Sequence, residues 1–190
     1  QDYKEAVKWF RLAAEQEHAD AQYNLGFMYS KGQGVPQDYK EAVKWYRLVA
    51  EQEHADAQYN LGFMYDKGRG VPQDDKEAVK WWKLSAEQGN AVAQLFLGLM
   101  YGNGKGVTQD YKEAVRLYRL SAEQGHATAA RFLGQMYFLG HGVIKDYVSA
   151  HMWWNICGAD GEKICVKFRD LVEMKMTPSQ IEEAQRLARN

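Results

Sequence analysis

Residues 37–72 read QDYKEAVKWYRLVAEQEHADAQYNLGFMYDKGRGVP, and residues 1–36 carry almost the same string. The two segments differ at only four pairs of positions: Phe10/Tyr46, Ala13/Val49, Ser30/Asp66 and Gln33/Arg69. Segments 73–108 and 109–144 keep the frame with more substitutions, and a fifth, divergent copy begins at Lys145. A constant period of this length is typical of a stacked repeat array, in which each copy buries its apolar face against its neighbours.

Each copy contains the pattern of two amphipathic helices. In the second copy, Asp38 followed three residues later by Glu41 is a capping-box signature, and apolar residues fill one broad arc of the helix that follows. A second helical stripe runs through residues 55–65. Gly62 lies inside that stripe, where glycine costs roughly 1 kcal/mol relative to alanine, so it indicates the close approach of another helix. The sequence therefore predicts an all-α protein built from helical hairpins.

Paired glycines close each of the first four copies. Such a pair ahead of a helix can form a phosphate-binding loop, but that loop requires a preceding strand and a Lys-Ser or Lys-Thr pair. Here a helix precedes the glycines, and Lys105 is followed by Gly106. We therefore expect a structural role at helix ends for the pairs Gly32/Gly34, Gly68/Gly70, Gly104/Gly106 and Gly140/Gly142.

The turn between the two helices of a copy is expected to contain one residue in the left-handed conformation. Gly89, Gly125 and Gly161 occupy this position in the later copies, and glycine suits it. Glu17 and Glu53 stand there in the first two copies. A side chain in that conformation costs about 1–2 kcal/mol, so these two turns are predicted to be strained.

The composition excludes several classes of function. A formal net charge of −1 gives no general attraction for nucleic acid or an anionic membrane, and the apolar runs are too short to span a bilayer. His18, His54 and His126 share one register, so neighbouring copies lie on the order of 10 Å apart, too far to share a zinc ion. We find no pattern typical of a catalytic, metal or cofactor site. Because residue 1 is Gln, we expect the chain to be processed or excerpted, with any targeting signal out of view.

The string A-x-x-W-Y-x-x-A-A-x-Q-G-x-A-x-A-Q-x-x-L-G-x-x-Y-x-x-G-x-G-V is approached by every copy from residue 1 to residue 144. In this the chain resembles the Sel-1-like repeat family, a relative of the tetratricopeptide repeats. The resemblance implies a right-handed α-solenoid, with the first helix of each hairpin on the inner surface, that serves as a non-catalytic scaffold for protein binding. It also implies a bacterial, exported protein, which favours a periplasmic or secreted location over the cytoplasm. We expect a monomeric array without a cofactor.

The predicted solenoid is one domain that ends in a capping helix. Its segments are repeats 1–36, 37–72, 73–108 and 109–144, a divergent repeat 145–176 and the capping helix 177–190. Thr177 at the N-cap, Pro178 at the first helical position and Gln180 three residues after the cap predict where this last helix begins. Its single apolar face would cover the last open face of the array, as repeat proteins require.

Two cysteines stand in the divergent repeat, at positions where the other copies have small residues. Small residues at both positions indicate that the two helices of the hairpin touch there, which would bring Cys157 and Cys165 within disulfide reach. Their spacing is also similar to that of the intra-hairpin disulfides in the cysteine-rich secreted branch of the family. The alternative is a pair of buried thiols in a reducing compartment.

Basic residues recur on the polar arc of the first helices and form what we call the basic ladder. If the first helices line an inner groove, the ladder suits an acidic, extended peptide. The candidate partner-binding residues are Lys8, Arg11, Lys44, Arg47, Lys80, Lys83, Arg116 and Arg119. The alternative is a solvated face whose charges pair within each helix, as Arg11 would with Glu15.

Other apolar registers are assigned to packing or to a second surface. Leucines on the same arc as the ladder are either exposed contact points or, as we expect, packed between neighbouring helices: Leu12, Leu48, Leu84 and Leu120. The tryptophans are expected in the core: Trp9, Trp45, Trp81, Trp82, Trp153 and Trp154. One register of the second helices changes chemistry along the chain and is a candidate surface on the convex side: Tyr23/Phe27, Tyr59/Phe63, Leu95/Leu99 and Arg131/Gln135.

These patterns lead to one main functional prediction and two alternatives. The main prediction is a non-catalytic adaptor that binds a protein or an extended peptide on the concave face. The first alternative is an exported binder of a small ligand such as a cell-wall fragment. The second is a purely architectural spacer.

Overall fold

The computed structural model describes residues 2–159 and 161–189. In this part of the chain the backbone forms helices and no strand, which confirms the predicted all-α class. The helices are α1 (Tyr3–Glu15), α2 (Ala19–Lys31), α3 (Tyr39–Ala50), α4 (Ala55–Lys67), α5 (Asp75–Glu87), α6 (Ala91–Asn103), α7 (Tyr111–Glu123), α8 (Ala127–Leu139), α9 (Tyr147–Ala159), α10 (Lys163–Glu173) and α11 (Pro178–Leu187). Odd-numbered helices up to α9 are the first helices of successive hairpins, and even-numbered helices are the second.

The chain forms two compact units, one ending at Ala93 and the other beginning at Gln94. In the first unit α1 packs on α2, α2 on α3, α3 on α4 and α4 on α5. In the second unit α7 packs on α8, α8 on α9, and α9 on both α10 and α11. Helices thus bury their apolar arcs against their neighbours in sequence, which is the packing of a repeat solenoid.

Glycines inside the second helices lie where a first helix packs closely. A Cβ on Gly62 would lie 2.7 Å from the ring of Trp82, whose indole N–H donates to the Tyr59 carbonyl at 3.1 Å. The ring therefore covers the glycine and also satisfies its own polar atom on the second helix. The close approach predicted from the sequence is confirmed, and the same contact recurs at Gly26/Tyr46, Gly98/Tyr118 and Gly134/Trp154.

The first helices α3, α5 and α7 each begin at an aspartate N-cap, which bonds both to its own helix and to the preceding helix. The Asp38 carboxylate accepts the N–H groups of Lys40 and Glu41 at 2.9 and 3.1 Å. The Asp38 N–H donates to the Tyr29 carbonyl of the preceding helix at 3.0 Å. Because that N–H already has a partner, Glu41 lies beside Lys44 instead, so the prediction of a complete capping box is wrong here. The same backbone bond joins Asp74 to Tyr65, Asp110 to Tyr101 and Asp146 to Tyr137.

The glycine pairs end the second helices. Gly68 is the left-handed C-cap of α4 with φ 61°, and Gly70 follows with φ 73°. A Cβ on Gly70 would lie 2.2 Å from the carbonyl oxygen of Tyr39, so the chain passes too close to a backbone atom for any other residue. The structural role predicted for these glycines is confirmed.

The turn inside each hairpin has the predicted left-handed residue. Gly89, Gly125 and Gly161 have φ of 89°, 84° and 89°, and Glu17 and Glu53 have φ of 64° and 63°. A Cβ on any of the three glycines would meet nothing within 4 Å. This turn therefore has the unfavourable backbone conformation but open space around it.

Two assignments of apolar side chains are corrected by the structure. The four leucines of the ladder arc are exposed rather than packed, with 52% of Leu12 and 40% of Leu48 accessible. The space between helices is filled from other registers, such as Val43 and Tyr46. Trp9 is also exposed, at 65%, and its indole N–H donates to Glu5 on its own helix.

Within the last hairpin, a disulfide and a buried histidine join α9 to α10. Cys157 and Cys165 form a disulfide with their Cα atoms 5.9 Å apart, which confirms the predicted bridge. His151 is fully buried, and its Nε2 lies 2.7 Å from Glu173 on α10. The helix α11 begins at the predicted Thr177 cap, completes its capping box and packs on α9.

Candidate functional site

In the first unit, the lysines of the basic ladder lie next to glutamates of the same helix. The ammonium of Lys8 lies 3.8 Å from Glu5, that of Lys44 3.7 Å from Glu41 and that of Lys80 3.5 Å from Glu77. These side chains are exposed, so each pair contributes about 0–1 kcal/mol to stability. The pairs also reduce the net positive charge that the ladder presents to a partner.

Three of the four ladder arginines bond to a tyrosine on the second helix of the same hairpin. The guanidinium of Arg47 donates to the Tyr65 hydroxyl at 2.6 Å, and Arg11 and Arg119 donate to Tyr29 and Tyr137 at 2.8 and 2.6 Å. Arg11 therefore bonds to Tyr29, where the alternative interpretation of the sequence paired it with Glu15. The constant spacing of these arginines and tyrosines was a signal in the sequence that helical-wheel reasoning missed.

In the third hairpin, Lys83 takes the place of the arginine. Its ammonium lies 4.0 Å from Glu87 on the same helix, which is the pairing along a solvated face that the alternative interpretation predicts. In the second unit, Arg116 makes two hydrogen bonds to Glu113, at 2.6 and 2.8 Å. These bonds raise the pKa of the Arg116 guanidinium above its ordinary value.

A groove of about 470 Å³ runs beside α3, and we call it the α3 groove. Its apolar lining comes from Val43, Leu48 and Val71. The charged lining consists of three cations, Lys40, Lys44 and Arg47, and one carboxylate, Glu51. Leu48 is the side chain that the sequence assigned to packing, and here it faces an open groove. The combination of an apolar floor and flanking cations can hold an aliphatic side chain next to acidic ones.

A second concave site lies on the register that changes along the second helices. Phe27 of α2 and Phe63 of α4 line a pocket of about 170 Å³ together with Tyr39 at the start of α3. In the second unit, the same register holds Arg131, whose guanidinium stacks over Phe132 at 4.2 Å. The sequence indicated a surface at this register but not a pocket, because the pocket also needs residues from a first helix and a loop.

The histidines of the hairpin turns lie at the starts of second helices. His18, His54 and His126 are the N-cap residues of α2, α4 and α8, and the His54 Nδ1 accepts the N–H of Ala57 at 3.3 Å. Among residues 2–159 and 161–189 no group of three or more His, Cys, Asp or Glu side chains is placed to hold a metal ion. Over the same residues, no helix has the length and apolar character needed to cross a bilayer.

Comparison with known proteins agrees with this architecture. A sequence model of the Sel1 repeat matches residues 1–18, 19–54, 55–90, 91–126 and 127–156. Among solved structures, the chain is similar to a protective antigen, displaying an SLR fold, that is present in uropathogenic Escherichia coli strains. The identity is 38% and the TM-score 0.90, over 98% of this chain and 40% of that one. Among curated protein sequences, none matches significantly.

Two further solved structures are similar. A Sel1 repeat protein from Oxalobacter formigenes has 36% identity and a TM-score of 0.83, over 99% of this chain and 79% of that one. The Helicobacter pylori cysteine rich protein B has 20% identity and a TM-score of 0.55, over 69% of this chain and 94% of that one, so it shares the fold alone.

The fold and these matches define the class as an all-α repeat solenoid. More particularly, the chain belongs to the Sel1 repeat family, because the repeat matches cover most of its length. It spans 40% of the length of the Escherichia coli antigen. Repeat proteins of this type are generally non-catalytic scaffolds that bind other proteins.

Proposed function

We propose that this chain is a non-catalytic scaffold that binds an extended, acidic peptide segment of a partner protein along its first helices. The observation that carries the proposal is the α3 groove, whose lining combines the exposed Leu48 with Lys44 and Arg47. Exposed leucines recur at the same register in α1, α5 and α7, so each of the first four hairpins offers one apolar contact near basic residues.

The charges of the groove favour a partner that brings its own carboxylates. The ammonium of Lys44 lies 3.7 Å from the Glu41 carboxylate. The guanidinium of Arg47 is held in place by its hydrogen bond to the Tyr65 hydroxyl. An incoming carboxylate near the Arg47 guanidinium would gain a charge-assisted hydrogen bond without the cost of fixing that side chain. The preferred ligand is therefore an aliphatic residue with Asp or Glu on either side.

The disulfide supports a location outside the reducing cytosol. Disulfides form and persist in oxidising compartments, and the Cys157–Cys165 bridge closes the last hairpin. We propose a periplasmic or secreted location on this ground.

The test uses a displayed library of random peptides, followed by fluorescence polarisation with the selected sequences. The selected peptides are expected to be enriched in Asp and Glu around a Leu, Ile or Val. The double variant Lys44→Glu/Arg47→Glu should bind them at least about tenfold more weakly, as expected for loss of charged contacts.

The matched control is Lys163→Glu/Lys167→Glu on α10, which changes the net charge by the same amount away from the groove. This variant should bind within about twofold of the unmodified chain. Equal weakening by both variants would reduce the effect to nonspecific electrostatics, and selection without acidic residues would refute the proposed ligand.

A further inference from the structure

We propose that the pocket lined by Phe27, Tyr39 and Phe63 in the first unit is a binding site for a small organic anion with a flat apolar body. The first observation is where the two nearly identical hairpins differ. Of their four differing pairs of positions, three place a residue in the wall of this pocket, namely Ser30, Tyr46 and Arg69. The fourth pair, Ala13/Val49, places none there. The first two copies thus diverge chiefly in the chemistry of one cavity.

The walls of the pocket are aromatic. Phe27 comes from α2, Tyr39 from the first residue of α3, and Phe63 from α4. The volume of about 170 Å³ is enough for one ring-sized group. Aromatic walls of this kind favour a planar ligand, because offset or edge-to-face ring contacts stabilise it beyond the burial of apolar area.

Two cations lie at the pocket, and each is positioned over aromatic rings. The guanidinium carbon of Arg69 lies 5.3 Å from the Tyr39 ring centre and 5.4 Å from that of Phe63. The ammonium of Lys31 lies 5.7 Å from the ring centre of Phe27. Neither cation has a carboxylate at ion-pair distance within the described chain, and no Asp or Glu lines the pocket. This differs from the basic ladder, where each lysine has a glutamate beside it, and it favours an anion as the ligand.

The inner polar wall contains two hydroxyl groups. The Tyr46 hydroxyl donates to the Ser30 Oγ at 3.4 Å, a long bond that leaves room for a competing acceptor. Burial raises the pKa of Tyr46 to about 12, so the phenol is neutral and a donor at neutral pH. Phe10, the counterpart of Tyr46 in the first hairpin, has no such group.

The counterpart of Ser30 shows how the charge of the site can be cancelled. Asp66 occupies that position in the second hairpin, and its carboxylate lies 2.7 Å from the ammonium of the next residue, Lys67. An aspartate in place of Ser30 would in the same way pair with Lys31. The serine therefore keeps one of the two positive charges available to a ligand.

The second unit contains a cavity at the equivalent position, with Leu99 and Gln135 in the places of Phe27 and Phe63. A pocket of about 220 Å³ lies two repeats further along the chain, lined in part by Tyr111 and Tyr118. Asn103 stands there in the place of Lys31, and His141 stacks on Tyr111 in the place of Arg69. This cavity has neither Lys nor Arg in its lining, so it serves as an internal comparison for the anion site.

The test is an NMR titration of the unmodified chain with benzoate and phenyl phosphate. The expected result is saturable shifts of the backbone amides of Ser30, Asn60 and Arg69. No shifts of that size are expected at Asn103 or His141. Benzyl alcohol and benzylamine, which have the ring without the negative charge, should bind at least about tenfold more weakly, as expected for loss of a charged contact. Equal binding of benzyl alcohol and benzoate, or no shift at Ser30 and Arg69, would overturn the proposal.

An anionic ring of this kind exists both as a free small molecule and as the side chain of a phosphotyrosine. The shared chemistry is the same, so a tetrapeptide containing phosphotyrosine is titrated in parallel with phenyl phosphate. Tighter binding of the tetrapeptide identifies a peptide as the source, and equal or weaker binding identifies a free ligand. Both outcomes support the anion site.

The variants exchange residues between the two hairpins, so each new residue already occupies the equivalent position elsewhere in this fold. Arg69→Gln introduces the glutamine that the first hairpin has at the equivalent position, Gln33, and should weaken benzoate binding about tenfold. Ser30→Asp should weaken it further. Ala13→Val, at the fourth differing pair, and Lys44→Glu/Arg47→Glu in the α3 groove should bind within about twofold of the unmodified chain. Arg69→Gln and Ala13→Val behaving alike would overturn the proposal, with melting curves showing that both variants are folded.

Discussion

The two turns of each repeat use the same backbone conformation but tolerate very different side chains. The turn inside a hairpin has φ of about 60–90° and holds glutamate in two copies and glycine in three. The turn that ends each of the first four hairpins also has positive φ, yet glycine occupies both of its positions in all four. The difference lies in the surrounding space. A Cβ would meet nothing within 4 Å at the glycines of the first turn, but at Gly34, Gly70 and Gly142 of the second turn it would lie 2.2–2.3 Å from a carbonyl oxygen.

This comparison separates two reasons for a glycine. A left-handed backbone alone costs a side chain about 1–2 kcal/mol, which a repeat protein can tolerate. A close backbone approach adds a clash that neither a rotamer change nor solvent can relieve. The second glycine of the pair is therefore required where one hairpin passes to the next, while the single position inside the hairpin leaves room for sequence change.

The largest effect is expected from Gly142→Ala. Its Cβ would lie 2.3 Å from the carbonyl oxygen of Tyr111, in addition to a φ of 72°. Backbone strain and overpacking together should lower the free energy of unfolding by about 2–5 kcal/mol. The matched control is Gly125→Ala, which has a φ of 84° but open space, and should cost only about 1–2 kcal/mol. Urea denaturation measures both, and equal losses would show that the close approach contributes nothing.

A smaller loss is expected when the turn of the last hairpin loses its disulfide. Cys157→Ser with Cys165→Ala introduces the residues that the fourth hairpin carries at these positions, Ser121 and Ala129. Releasing this short loop should lower the free energy of unfolding by about 2–3 kcal/mol. Thermal melting with and without a reducing agent measures it. The reducing agent should lower the melting temperature of the native chain and leave the variant unchanged, whereas an unaffected native chain would contradict the prediction.

The smallest effect is a gain in stability at the strained turns. Glu53→Gly removes a side chain from a residue with φ of 63° and should raise the free energy of unfolding by about 1 kcal/mol. Glu17→Gly should do the same in the first hairpin. Glu53→Ala is the control, since alanine keeps the strain, and it should leave the melting temperature unchanged. A melting temperature that does not rise in either glycine variant would mean that the two turns are not strained.

Much of the fold follows from the sequence for two reasons. The repeats show which positions are structurally equivalent, and recurring glycines mark left-handed backbone or close helix packing. The glycine contact at Gly62, the left-handed turns and the Cys157–Cys165 bridge were all predicted on that basis. The predictions that were wrong concerned which neighbouring group a side chain contacts. A helical wheel shows which arc of the helix Leu48 occupies, but not where the next helix lies. It also does not show that the Asp38 N–H, the expected partner of Glu41, is already bonded to another helix.

The candidate site was only partly predictable for the same reason. The basic ladder is a property of single helices and was visible at once, although its partner-binding role stays a prediction. The bonds from Arg47 to Tyr65, and the pocket around Arg69, each join side chains from different elements. Such groupings depend on how helices are offset along their axes, which residue periodicity alone does not give.

The backbone bond from each N-cap aspartate to the tyrosine carbonyl of the preceding hairpin has a consequence for the evolution of the chain. Every copy from the second to the fifth presents the same donor at its start, and the four copies before them present the same acceptor. A whole copy can therefore be duplicated or deleted in the gene without leaving an unpaired group at the new junction. Lengthening or shortening the array in steps of one period should be far less disruptive than inserting a few residues.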